Sequence, residues 1–191
     1  MWSNPAASDS RWEPGRVTRK GSPRSDELKP FIEIAVEMGA NDAKVIKAST
    51  VRCEPWVRLK CQFGCAGYNK RLMCPPFTPT PEETARVISC YRRAILIHSK
   101  DNDIVNEIVP RLERKIFLSG YYKALGLGSG PCYLCDRCNT KARCKYPDLA
   151  RPAMEACGID VFSTARTNGF HIEVVRSRKQ KGDYFGVILV D

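Results

Sequence analysis

Regular hydrophobic spacing divides the chain into helical and extended segments, separated by two stretches that have no period. From Ser25 onward, apolar residues recur at the spacing of one helical face until Gly39, which predicts a helix. Residues 43–51 (AKVIKASTV) then predict a β-strand. Residues 1–24 lack such a period and are rich in Pro, Ser, Gly and Arg. We therefore expect a disordered basic tail over residues 1–24 and a single domain over residues 25–191.

The middle of the chain predicts a short helix, a buried strand and a long helix. Residues 80–83 (TPEE) combine an N-cap threonine, a proline at the first helical position and acidic first-turn residues, so we expect a helix that ends near residue 91. Residues 94–98 (AILIH) predict a short buried strand. Residues 101–125 carry apolar side chains along one helical face, and Pro110 is expected to kink this helix or split it in two.

The last third of the chain predicts one more helix and most of the remaining strands. Residues 147–156 are expected to form a short helix that a glycine ends. Three β-strands are expected after it, at residues 160–164, 171–175 and 185–190. Cys-rich loops are expected at residues 52–81 and 132–144. Together these elements predict the α+β class, with a small mixed sheet, packed helices and two Cys-rich metal-binding loops.

The strongest chemical signal is a C-x2-C-x2-C run with a fourth cysteine six residues later. Its members are Cys132, Cys135, Cys138 and Cys144. A [4Fe–4S] cubane needs one thiolate on each iron, and a tight loop of this kind can supply three of them while a more distant cysteine supplies the fourth. Zinc, the alternative metal, prefers two short Cys pairs set well apart. Disulfide chemistry is a third alternative, but the βα context of a thioredoxin motif is missing. The spacing favours an iron–sulfur cluster.

A second group of cysteines, Cys61, Cys65 and Cys74, precedes this run and predicts a second metal site. Glycines within the group permit a tight loop, and a proline follows the last cysteine, as in ferredoxin-type ligands. The fourth ligand stays open: the remaining cysteines are Cys53, Cys90 and Cys157. Cys90 falls late in a predicted helix and is expected to be a small buried residue. If no fourth cysteine binds, one iron would be open to substrate or water.

Three motifs in a fixed order give the chain a family resemblance. They are K-C-x3-C-x2-Y-x5-C-P-P from Lys60, G-P-C-x2-C-x2-C from Gly130, and A-R-P-x-M-E-A-x-G-I-D-V from Ala150. Over about residues 25–190 the chain resembles a bacterial and archaeal family of predicted metal-binding proteins with a domain of unknown function. The resemblance implies an iron–sulfur protein of anaerobic-type metabolism, with no established reaction. It implies as ligands the seven cysteines of the two groups, and it does not extend to Cys53.

Composition limits the compartment and the chemistry of the cysteines. Ten cysteines in 191 residues would suggest disulfides in a secreted protein. The N-terminus carries no stretch of signal-peptide type, and no apolar run approaches the ~20 residues of a membrane helix. We therefore expect a cytoplasmic protein, without a membrane partner, whose cysteines bind metal or do redox work.

The formal net charge of +10 invites a nucleic-acid partner, but two observations weaken that interpretation. Six of the positive charges lie in the first thirty residues, and two anionic clusters would lower the total to roughly +6. Basic residues also flank the cysteines: Arg58, Lys60, Lys70, Arg71, Arg137, Lys141, Arg143 and Lys145. We interpret them as compensation for anionic clusters, which disfavours nucleic acid as a partner.

Three functions remain open at this point. The first is electron transfer or a redox accessory role with one or two [4Fe–4S] clusters and a redox partner protein. The second is an enzyme in which a three-cysteine cluster uses its open iron for sulfur or small-ligand chemistry. The third is a zinc-stabilised nucleic-acid-binding protein, whose signature would be strongly salt-dependent binding.

Overall fold

A computed structural model describes residues 25–177 and 179–191, so the predicted tail lies outside the described residues. The described chain contains four β-strands: β1 (Asp42–Lys47), β2 (Arg93–Ser99), β3 (Leu125–Leu127) and β4 (Tyr184–Leu189). It also contains five α-helices: α1 (Lys29–Glu37), α2 (Pro55–Gly64), α3 (Pro81–Ile88), α4 (Asn102–Leu118) and α5 (Val161–Thr167). Of the helices in this described part, none combines the length and the apolar character needed to cross a membrane. The predicted α+β class is confirmed.

The four strands form one sheet in the order β1-β2-β4-β3, and all of their pairings are antiparallel. Ile95 of β2, for example, lies opposite Val45 on one side and Ile188 on the other. This corrects the expectation of a mixed sheet. The apolar run of β2 indicates a strand buried on both faces, but such a run does not specify the direction of its neighbours.

Side chains of β2 and β4 alternate between two hydrophobic cores, because successive residues of a strand point to opposite faces of the sheet. Ile95, Ile97 and Ile188 pack with α1 and α4 on one face. On the other face, Leu96 and Val187 pack with residues from the segment 153–172, which includes α5. The two Cys-rich stretches therefore extend from a scaffold that is covered on both faces.

Capping chemistry predicted the start of α3 correctly. The Oγ1 atom of Thr80 accepts a hydrogen bond from the backbone N–H of Glu83 at 3.2 Å, and the N–H of Thr80 donates to Glu83 Oε2 at 2.8 Å. This reciprocal pair satisfies two N–H groups that a helix start leaves unpaired. The long helix α4 is also confirmed, although it ends at Leu118, and Pro110 lies inside it without splitting it.

Three predictions for the last third of the chain were wrong. Residues 160–164 begin α5, because the Asp160 side chain caps its N-terminus and the buried residues follow helical spacing. Residues 171–175 form no strand, and most of their side chains are exposed. Of the expected helix over residues 147–156, only a 3-10 turn at its end forms, since Pro152 interrupts it and its carbonyl accepts from the N–H of Gly128.

An ion pair at the end of β2 provides a pH-dependent test of the fold. Asp183 Oδ1 lies 2.6 Å from Lys100 Nζ and 2.7 Å from His98 Nε2. Burial of Asp183 acts to raise the pKa of this carboxyl, but the hydrogen bonds from Lys100 and His98 outweigh burial and lower it below 3.8. The charged carboxylate therefore stabilises the folded chain above the ordinary Asp range, and this contribution is lost as the pH falls through the lowered pKa.

We expect Asp183→Asn to reduce the free energy of unfolding by about 1–2 kcal/mol at pH 7, because the charge-assisted hydrogen bonds weaken. The difference from the wild type should shrink to nothing as the pH falls below the pKa of Asp183 in the folded chain. Urea denaturation at several pH values measures it. Asp148→Asn, at an exposed position, is the matched control and should change little. A difference that did not depend on pH would contradict the ion-pair account.

Candidate metal centre

The first cysteine group lies where α2 ends and the chain turns back. Cys61 is in the last turns of α2 and Cys65 is its C-cap, so a helix carries candidate ligands that the sequence predicted to lie in a loop. A β-carbon built on Gly67 would lie 3.4 Å from Cys74 Sγ and 3.6 Å from Cys65 Sγ. Two of the three sulfurs therefore face the same small space beside Gly67, which a side chain at that position would fill.

A cavity of about 350 Å³ opens between this group and the segment around Glu155. Cys61, Cys65 and Cys74 all line it, and Glu155 closes it from the opposite segment. The rest of its wall is mainly apolar and aromatic, including Trp56, Val57, Tyr68, Ile159, Val161 and Phe162. The cavity thus brings three cysteines together with Glu155 and Asp160 in largely apolar surroundings.

Glu155 begins a 3-10 turn, Glu155–Cys157, that packs against α2. Its backbone oxygen lies 3.8 Å from Cys61 Sγ. Arg58 of α2 donates to the carbonyls of Pro79 at 2.7 Å and Ala156 at 3.3 Å, which ties the turn to the helix. The Oε2 atom of Glu155 is buried and has no hydrogen-bond partner among the described residues, and burial raises the pKa of this carboxyl.

The second cysteine group interlocks with the first. Arg71, which lies between Cys65 and Cys74 in the sequence, donates to the carbonyl of Cys132 at 2.7 Å and to that of Cys135 at 3.2 Å. The next residue, Leu72, donates its backbone N–H to Cys138 Sγ at 3.5 Å. Residues about 60 positions apart in the sequence thus hold the two Cys-rich loops together as one unit.

Backbone N–H groups also point at sulfurs within each loop. The N–H of Gly67 donates to Cys65 Sγ at 3.4 Å, and that of Tyr146 donates to Cys144 Sγ at 3.4 Å. With the bond from Leu72, cysteine sulfurs of both groups accept backbone hydrogen bonds. Such donors stabilise negative charge on a thiolate, which is the form in which cysteine binds a metal.

Without a metal, burial keeps several of the thiols protonated. Burial, together with the nearby Cys65 and Cys61, raises the pKa of Cys74 to about 11. Burial likewise raises the pKa of Cys53 to about 11 and that of Cys157 to about 12. At neutral pH these groups are therefore neutral, and a metal that binds such a thiol must displace its proton.

The ten cysteines are all free thiols, and within residues 25–177 and 179–191 no group of three or more His, Cys, Asp or Glu is arranged to hold a single metal ion. Cys53 and Cys157, the sequence candidates for a fourth ligand, are not among the residues that line the cavity. Cys90 is exposed just after α3, so the prediction of a buried residue there was wrong. The ligand roles of the seven other cysteines stay predictions.

Two residues with structural roles at this centre were missed by the sequence reasoning. The sequence predicts no role for Glu155 and only a compensating charge for Arg71. Neither role has a local signal, because each depends on a contact with a distant segment. The motif around Glu155 was the one available indication, since it is part of the sequence pattern quoted for the family resemblance.

The role of Arg71 is open to a direct test. Arg71→Ala removes two hydrogen bonds to the loop of Cys132 and Cys135, so we expect amide hydrogen exchange in this loop to become roughly ten- to a hundredfold faster. Arg71→Lys should give an intermediate effect, since a lysine keeps the charge but loses the fork of donors. Lys70→Ala removes the neighbouring charge and serves as the control. Equal exchange rates in the Arg71→Ala and Lys70→Ala variants would contradict this assignment.

Comparison with known proteins identifies the family to which the chain belongs. Residues 44–190 match the model of a family described as predicted metal-binding protein (DUF2284). The match includes both cysteine groups and the segment of Glu155. No curated protein and no solved structure is significantly similar to the chain. The chain belongs to this family of predicted metal-binding proteins, whose function is not known.

Proposed function

We propose that the chain is a cytoplasmic iron–sulfur protein that binds two [4Fe–4S] clusters and transfers electrons to or from a redox partner protein. One cluster is held by Cys132, Cys135, Cys138 and Cys144. The other is held by Cys61, Cys65 and Cys74 together with a further ligand. When bound, such clusters accept and release single electrons.

The observation that carries this proposal is the interlocking of the two cysteine groups with N–H donors aimed at their sulfurs. The Arg71 and Leu72 contacts bring the groups side by side, and Cys74 of one group interacts electrostatically with Cys132 of the other. Adjacent centres suit the passage of an electron from one to the next. The hydrogen bonds to Cys65, Cys138 and Cys144 suit thiolates that share the negative charge of a cluster.

The chain's own residues fit such a cofactor in two further ways. Gly67 has no side chain of its own to fill the space where the sulfurs of Cys65 and Cys74 approach each other. Lys70, Arg71 and Arg137 line a second cavity between the loops, where they offset negative charge. All ten cysteines are free thiols, as is usual for proteins of a reducing compartment.

Reduction under anaerobic conditions tests the proposed role. The reconstituted protein should be brown, and reduction by dithionite should produce the electron paramagnetic resonance signals of two interacting one-electron centres, which disappear on reoxidation. A reconstituted protein that holds iron but takes up no electron across the range of ferredoxin potentials would contradict electron transfer.

A second candidate, favoured by the cavity, is an enzyme that uses an open iron of the first cluster. The cavity of about 350 Å³ beside Cys61, Cys65 and Cys74 has room for a small ligand. An open iron would bind added cyanide or a small thiol, and the spectrum of the cluster would change. A spectrum unaffected by these ligands would exclude this candidate and leave the electron-transfer proposal intact.

A further inference from the structure

Glu155 has one carboxyl oxygen without a hydrogen-bond partner among the described residues, and the residue lines the cavity that three cysteines share. Its Oε2 atom is buried and accepts no hydrogen bond from the described residues, although the side chain lines the cavity opposite Cys61, Cys65 and Cys74. A buried carboxyl oxygen that lacks a partner costs free energy, and proteins normally retain one only where a bound water, a ligand or a metal satisfies it. The position therefore requires an explanation that packing does not give.

Other residues near the cavity are less suitable as a fourth ligand. The Asp160 carboxylate also lines the cavity but accepts the N–H of Ser163 at 3.0 Å as the cap of α5. Cys157 is buried in the hydrophobic core on the α5 face of the sheet, and Cys53 packs against the same core. Neither thiol is part of the cavity wall. Of these residues, only Glu155 both lines the cavity and has a buried oxygen without a hydrogen-bond partner among the described residues.

We propose that Glu155 supplies the fourth ligand, through a carboxylate oxygen, of the cluster held by Cys61, Cys65 and Cys74. The inference rests on the proposed function, since it assumes that an iron–sulfur cluster binds there. A Cys3Glu ligand set would close the iron that the three cysteines leave open. Carboxylate is an established iron ligand, and one harder oxygen donor among three thiolates makes one iron distinct from the other three.

Mössbauer spectroscopy on the full chain reconstituted with 57Fe tests this inference without relying on a variant. If both clusters bind, about one iron in eight should show a separate component with the parameters of an oxygen-ligated site. Glu155→Gln, which keeps the shape of the side chain, should lose this component, and its cluster should respond to added cyanide where that of the wild type does not. Cys53→Ser and Cys157→Ser are matched controls and should retain the component.

Iron analysis separates failure of this inference from failure of the proposed function. A wild type with about eight irons and no distinct component would overturn the Glu155 ligand alone. The same holds if Cys53→Ser or Cys157→Ser loses the component while Glu155→Gln keeps it. A wild type that binds only about four irons and lacks the distinct component, or that binds only zinc, would overturn both the Glu155 ligand and the two-cluster proposal. If Glu155→Gln does not fold, the wild-type spectrum still decides.

Discussion

Replacing Cys138 by serine is expected to remove one of the two clusters. The iron content after anaerobic reconstitution should fall from about eight to about four per chain, because a serine hydroxyl is a much poorer ligand than a thiolate. Cys138 is the third member of the C-x2-C-x2-C run, and its sulfur accepts the N–H of Leu72 from the other loop. Iron and acid-labile sulfide analysis on the purified variant measures the effect.

Cys90→Ser is the matched control for this substitution. Cys90 is exposed beyond the end of α3, where its thiol contacts the carbonyl of Arg86 at 3.5 Å. The control should keep the full iron content. Equal iron in the wild type and the Cys138→Ser variant, or a comparable loss in the control, would contradict the assignment of ligands by spacing.

Gly158→Ala is expected to give the largest loss of stability near the metal centre. Gly158 has a φ of +79°, and a β-carbon there would lie 2.5 Å from Pro81 Cγ and 3.0 Å from Pro81 Cα. The left-handed backbone costs a non-glycine residue about 1–3 kcal/mol. Overlap with the first residue of α3 adds about 1–3 kcal/mol, since the proline ring cannot move away freely. Urea denaturation measures the free energy of unfolding, which should fall by the sum of these two costs.

Gly120→Ala separates the two contributions. Gly120 also has a positive φ, of +100°, but a β-carbon there would meet nothing within 4 Å. This variant should therefore lose only the backbone contribution of about 1–3 kcal/mol. Equal losses in the two variants would show that the contact with Pro81 has no energetic role. Because Gly158 follows the turn that carries Glu155, the Gly158→Ala variant should also bind less iron at the first group.

Elements with local chemical signals could be predicted from the sequence. The capping pattern of residues 80–83 predicted α3, and the apolar run of β2 predicted a buried strand. By contrast, residues 160–164 (DVFST) contain residues that favour strands, and yet they form the start of α5. Burial of Val161, Thr164 and Ala165 on one side decides the outcome, which a short segment does not reveal. Tertiary packing overrides local propensity there.

The candidate site likewise combines features that have a local sequence signal with contacts that have none. Spacing alone singled out the seven cysteines of the two groups as candidate ligands, and their ligand roles stay predictions. The helix α2 was missed within the first Cys-rich loop, although Pro55 at its first position was an available signal. The contacts of Arg71 with Cys132 and the approach of Glu155 to Cys61 join distant segments, so only the folded chain reveals them.

The central claim is that the two cysteine groups bind iron–sulfur clusters, and metal analysis of the anaerobically purified wild type tests it most directly. Iron, zinc and acid-labile sulfide should be measured on the same sample. The account predicts about eight irons and about eight sulfides per chain, with little zinc. One or two zinc ions per chain with no sulfide would contradict it, because zinc sites contain no inorganic sulfide.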